Sequence, residues 1–219
     1  MIVRIKKACR ARVVLLLLTI SCFISVSAGS PPSATRQATY IGIPRGNFEF
    51  VAAAQQSSQW CWAASIQMVL NYYGVSIGQP QIVARTYGVS PNGQLPNWAG
   101  SFEAITANLS NWSIDNSGVP YVVQTSVGMG APPPTLLLQE LQAQRPVIAA
   151  YRSGPNSGHA VVITAASYTP SQYGPIVQTV IVRDPWPSQI NVQNRGRVEY
   201  PGASIAQVME AYWIVRVNR

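Results

Sequence analysis

Residues 55–74 read QQSSQWCWAASIQMVLNYYG, and this stretch decides how the chain folds. Ser57 and Ser58 are candidate helix caps, Gly74 is a stop, and CWAASIQMVLNYY lies between them. Trp62, Ile66, Val69, Leu70 and Tyr73 mark one face, and Ala63, Ala64 and Met68 widen it. A helix with so broad an apolar surface is predicted to be buried on most sides. Its first residue is Cys61.

Working outward, shorter helices are predicted over 79–87, with Pro80 near its start, over 102–109, and over 135–142, where Leu136, Leu137, Leu138 and Leu141 face a core. Beyond Pro146 the character changes. Residues 146–151, 159–167, 176–183, 197–200 and 213–217 are β-branched and aromatic runs between Gly, Pro, Asn and Ser clusters, with a short helix over 204–211. Helices first and strands later predict an α+β fold. An N-terminal helical lobe, with its central helix starting at Cys61, packs on a C-terminal antiparallel sheet and leaves a cleft at the seam.

The N-terminus reads differently. Arg4, Lys6, Lys7, Arg10 and Arg12 precede the apolar run Val13 to Val26, and Val26-Ser27-Ala28 has a small-residue cleavage pattern, so 1–28 reads as a secretory signal. The run is shorter than the ~20 residues a membrane span needs. An uncleaved anchor and lipid attachment at Cys22 are the alternatives. Residues 29–50 read as a flexible leader that opens with GSPPSATRQAT, and 51–219 as one domain. The exported chain is expected to be secreted or periplasmic, off the membrane after signal removal, and a monomer.

The net charge of +8 resides mostly in that signal, which holds both lysines. After Ala28 the chain keeps 10 Arg and all 7 acids, a net +3. Scattered arginines make no phosphate-tracking stripe, so nucleic acid is not an expected partner. At 47% hydrophobic and 10% charged residues, intrinsic disorder is excluded. Cys9 and Cys22 leave with the signal, and Cys61 remains alone. No internal disulfide or Cys-based zinc site can form, and no metal or cofactor is expected.

A lone thiol in an oxidising compartment is a liability unless it is buried or used. Cys61 sits where the positive end of a helix favours a thiolate. His159, the chain's single histidine, follows Gly158 and opens the apolar strand Ala160-Val161-Val162-Ile163. An imidazole there can pair with the thiolate and later protonate a leaving amine. The ring then needs an orienting acceptor. Asp184 ends a buried strand ahead of Pro185-Trp186-Pro187 and suits that role, whereas Asp115, in a polar loop, reads as a solvated turn residue. Gln55 or Gln56 could donate to an oxyanion beside the Cys61 N–H. Asn108 and Asn111 match glycosylation acceptors only weakly.

The motifs QQSSQWCWAAS at 55–65, GHAVVITAASY at 158–168 and VRDPWP at 182–187 together resemble the papain-like cysteine peptidase superfamily. The resemblance is to its short bacterial branch, and it is similar to secreted effector peptidases and double-glycine-leader peptidases. It implies Cys61 as nucleophile, His159 as general base and acid, Asp184 as orienter and Gln55 in the oxyanion hole, with Gln56 as fallback. Gln56, Trp62, Trp186 and Gly158 would bind substrate or shield the site. The implied partner is a protein or peptide substrate. The span from Cys61 to His159 is shorter than the ~130–150 residues of the papain type, so only a compact version of the fold fits. The orienter is Asp rather than Asn, and Trp60 precedes the nucleophile. Two other functions fit the same residues: transglutaminase-like acyl transfer, and a catalytically idle secreted binding module.

Overall fold

Among the described residues, eight antiparallel strands form one sheet, with helices on both of its faces. The structure is a computed structural model and describes residues 37–110, 112–155 and 157–218. The expected signal, the start of the leader, and Asn111 lie outside the described residues. In chain order the elements are β1 (Thr39–Gly42), α1 (Arg45–Glu49), α2 (Cys61–Tyr72), α3 (Gln79–Tyr87), α4 (Phe102–Asn108), β2 (Trp112–Ile114), β3 (Pro120–Met129), α5 (Pro134–Gln142), β4 (Val147–Gly154), β5 (Ser157–Ser171), β6 (Gly174–Arg183), β7 (Arg197–Pro201), α6 (Gly202–Val208) and β8 (Met209–Asn218). The sheet order is β2-β3-β8-β4-β5-β6-β7, and β1 pairs with the far end of β5. The architecture is the α+β arrangement expected, with helices on an antiparallel sheet.

The two faces of the sheet carry separate cores. Successive strand side chains point to opposite faces, and β4 and β5 use both. Ile148, Ala160 and Val162 pack with α2, α3 and α4, together with Trp62, Ile66, Val69, Ile82 and Ile105. Val147, Ala149, Val161 and Ile163 pack instead with α5 and α6, against Leu137, Leu138, Leu141 and Ile205. A strand covered on both faces must be apolar at every position, which is why Ala160-Val161-Val162-Ile163 shows no alternation. On α2, eight of the 12 residues are buried, including Trp62, Ile66 and Leu70.

Several local expectations are corrected. The cap of α2 is Trp60, with no side-chain cap bond, rather than Ser57 or Ser58. Residues 39–49, assigned to the flexible leader, form β1 and α1; Phe48 is fully buried, and the Ile43 N–H donates to Thr164 O at 2.9 Å. Strand β3 is absent from the sequence reading. Its buried Tyr121 and Val123 alternate with exposed Val122 and Gln124, too short a pattern to stand out before Thr125, Ser126 and Gly128. The helix expected over 204–211 begins and ends earlier, and 209–211 belong to β8. Among the described residues no helix is long and apolar enough to cross a membrane.

Candidate active site

Cys61 is the first residue of α2. The first N–H groups of a helix lack intrahelical partners and carry its positive end. The two tryptophans flanking Cys61 fix what faces it. Trp60 Nε1 donates to Pro96 O at 3.0 Å, and Trp62 Nε1 donates to Trp98 O at 3.1 Å. Asn97 joins in, accepting from the Gln59 N–H and donating to Ser58 Oγ. The loop between α3 and α4 is thus stapled to the start of α2. At Gly100 a Cβ would lie 2.3 Å from Trp62 Cγ, so only glycine lets the loop lie flat on that indole.

His159 stands near the start of β5, paired across the strands with Tyr151, whose ring meets the imidazole edge-on at 5.6 Å. Its Nε2 donates to Asp184 Oδ1 at 2.7 Å, and its ring lines the same cavity as the Cys61 side chain. Since Nε2 is committed to Asp184, Nδ1 is the nitrogen left for sulfur. Burial opposes protonation of this ring. The hydrogen bond to Asp184 and the nearness of Cys61, with the charge of both groups, more than offset it and raise the pKa from 6.5 to about 9.

Asp184 follows β6 directly and is buried. Besides His159, its Oδ1 accepts the Trp186 N–H at 2.8 Å, and its own N–H donates to Gly196 O at 2.7 Å. A Cβ on Gly196, where φ is +77°, would fall 2.7 Å from Asp184 O. The half-exposed Trp186 meets the imidazole edge-on at 6.2 Å.

The remaining candidates separate. Gln55 is buried, and its Nε2 donates to Ser57 O and Ser58 O at 3.0 and 2.9 Å. Both amide protons are therefore taken by the turn leading into α2, not directed at an oxyanion beside Cys61. Gln56 is exposed, and its N–H donates to Gln79 Oε1. Both glutamines line a depression shared with Trp186, Pro187 and Ser188, outside the cavity that holds Cys61. Trp62 and Gly158 do line that cavity. Asp115 is not a solvated turn residue: it is buried and accepts the N–H groups of Ser76, Ser117 and Val119. Asn108 is buried and donates to Thr86 Oγ1 and Ala104 O, which leaves no surface amide for a glycan.

The cavity has a volume of about 230 Å³ and lies where helical lobe meets sheet. Cys61 and His159 line it with Phe102, Ile105 and Trp213, none of which the sequence reading marked as functional. Gln79 was also missed. Fully buried, it donates to Ala54 O and Gln67 Oε1 while accepting the Gln56 N–H, tying the 54–56 loop to α2. Nothing local in the sequence distinguishes these residues from ordinary core.

The profile of the Peptidase_C39 like family matches residues 48–217. The chain belongs to that family. It is a cysteine-type peptidase, consistent with Cys61, the one cysteine among the described residues, standing at a helix tip and lining the same cavity as His159. Among solved structures, it is similar to a double glycine motif protease from an AMS/PCAT transporter in complex with the leader peptide. Identity is 18% over 83% of this chain and 94% of that one, with a TM-score of 0.40. No curated protein matches the chain.

Proposed function

We propose that this C39-like peptidase hydrolyses peptide bonds through an acyl-enzyme on Cys61, with His159 as base and acid and Asp184 as its orienter. The observation carrying the reading is that one imidazole bonds Asp184 through Nε2 at 2.7 Å and lines the same cavity as Cys61, whose nearness helps hold the ring protonated. The Cys61 sulfur attacks the scissile carbonyl carbon as its proton rests on His159. The carbonyl oxygen becomes an oxyanion, stabilised by the Cys61 N–H at the positive end of α2. Collapse expels the amine, protonated by His159. Water, deprotonated by the same ring, then hydrolyses the thioester and restores the thiol. In this scheme Gln55 positions the turn into α2.

Residues 1–28 are proposed to direct export and to be removed, leaving the peptidase outside the cytoplasm. The decisive experiment compares wild type with Cys61→Ala on a denatured protein substrate. Cleavage by wild type and none by the variant is expected; cleavage by Cys61→Ala overturns the assignment. Glutamines tagged by an added amine would point to acyl transfer instead. Absence of both cleavage and labelling of Cys61 by an epoxide probe would point to an idle scaffold.

A further inference from the structure

The cavity that holds Cys61 and His159 is also lined by an exposed acid, Glu210, that the chemistry above does not use. Five of the seven acids have partners inside the protein. Glu49 pairs with Arg45, Glu140 with Arg145 and Arg216, and Glu199 with Arg197. Asp184 holds His159, and Asp115 takes backbone N–H groups. Of the remaining two, Glu103 is exposed at the start of α4, away from the cavity, whereas Glu210, which pairs with no cation among the described residues, is at it.

The backbone explains how it comes to be there. On β8, Ala211 pairs with Ala150 but Met209 pairs with Tyr151, so Glu210 is the extra residue of a β-bulge. Met209 packs with the α5 side of the sheet and Ala211 with the α2 side. A bulge bends the strand and re-aims a side chain that regular alternation would direct elsewhere. The Glu210 carbonyl is anchored by the Gly130 N–H at 2.8 Å. Apart from Gln59 and the Cys61–His159 end, the rest of the wall is apolar, with Trp62, Phe102, Ile105 and Trp213 its largest side chains, and no Arg or Lys among the described residues lines it.

We propose that this cavity selects a basic side chain, Arg or Lys, close to the scissile bond of the substrate, and that Glu210 is the specificity-determining residue. The proposal rests on the peptidase reading and names the substrate class of that site. An apolar cavity of ~150 Å³ accommodates a six-carbon ring, so about 230 Å³ is room for a long side chain. The aliphatic stem lies along the aromatic wall while the cationic head stays at the half-wet rim. A neutral side chain of the same length would fill the space but take water from Glu210 without replacing it, and hydrogen bonds to charged groups are the strong ones.

The test uses peptides identical except for Arg, Lys, norleucine or Glu at each position flanking the cleavage site. Wild type is expected to show about tenfold higher kcat/KM for Arg or Lys than for norleucine at one position. In Glu210→Gln that ratio falls to about one, and in Glu210→Arg the Glu peptide becomes preferred, with melting temperatures confirming that both fold. No basic preference in wild type, or one that survives in Glu210→Gln, overturns the proposal. Binding of the same peptides to Cys61→Ala, read by fluorescence anisotropy, separates the two readings. If wild type cleaves nothing but Cys61→Ala binds Arg peptide about tenfold tighter than norleucine peptide, the peptidase reading fails and the basic subsite stands. Equal binding of both peptides sinks the subsite.

Discussion

The indole N–H of Trp62 donates to the carbonyl oxygen of Trp98 at 3.1 Å, and this bond couples the helix carrying Cys61 to the loop before α4, whose Ala99 and Gly100 line the cleft. Trp60 does the same through Pro96 at 3.0 Å. The Trp-Cys-Trp triplet is therefore a clamp as well as core.

Replacing either indole by phenyl keeps most of the apolar bulk and removes one neutral hydrogen bond, worth about 1 kcal/mol. Trp62→Phe is expected to raise KM about fivefold with a smaller effect on kcat, because the wall loosens while the thiol and imidazole stay in place. Steady-state kinetics, with limited proteolysis of residues 96–100, checks this. An unchanged KM and an uncut loop would show that the clamp is dispensable.

The titration of His159 predicts two pH effects. Its folded pKa of about 9 lies above the ordinary 6.5. The protonated ring therefore contributes stability that is fully present below about pH 6.5 and lost as pH rises through 9. The alkaline limb of kcat/KM is expected near pH 9, where the imidazolium that protonates the leaving amine in the proposed mechanism disappears. Because the chain has a single histidine, one ring C–H resonance reports the titration by NMR. A midpoint near 6.5 in wild type refutes the prediction.

Asp184 raises that midpoint by accepting the Nε2 proton and by its charge. Asp184→Asn keeps an oxygen for the His159 and Trp186 N–H groups but loses the charge, so the alkaline limb should move down. Asp184→Ala also loses the orientation, with kcat/KM expected to fall by roughly 10²–10⁴. Equal losses in the two variants would mean that orientation contributes nothing beyond charge.

Gly196 supports Asp184 from behind. A Cβ there would meet Ile190 Cδ1 at 2.5 Å and Asp184 O at 2.7 Å, at a φ of +77°. Gly118, at φ +76°, has open space around it. Both alanine variants carry the backbone cost of a left-handed conformation, about 1–2 kcal/mol. Gly196→Ala alone adds the clash and is expected to lose activity as well as stability. Urea unfolding and kcat/KM of the pair separate strain from crowding; equal behaviour of the two variants would contradict this account.

Much of the site was readable before any coordinates. The helix from Cys61 follows from a periodic apolar stretch ended by glycine, a signal contained within a few turns of chain. His159 and Asp184 stand out because each borders an apolar run that must be a buried strand, and a polar group at the end of such a strand needs a partner. The donors of Gln55 were not readable. Their direction depends on how the turn at 57–58 closes, and two nearby carbonyls claim them.

Local pattern thus determined the helical lobe, the strands of the second half, and a cysteine, a histidine and an aspartate as candidates, of which the fold joins His159 to Asp184 and sets His159 and Cys61 on one cavity. Chain folding over long distances decided the rest. Strand β3 exists because β8 lies beside it, the cleft wall because two indoles reach the loop before α4, and the place of Glu210 at the cavity because β8 bulges opposite Tyr151. Such contacts join residues far apart in sequence, and the loss of water that gives them their strength occurs only once the whole sheet is assembled.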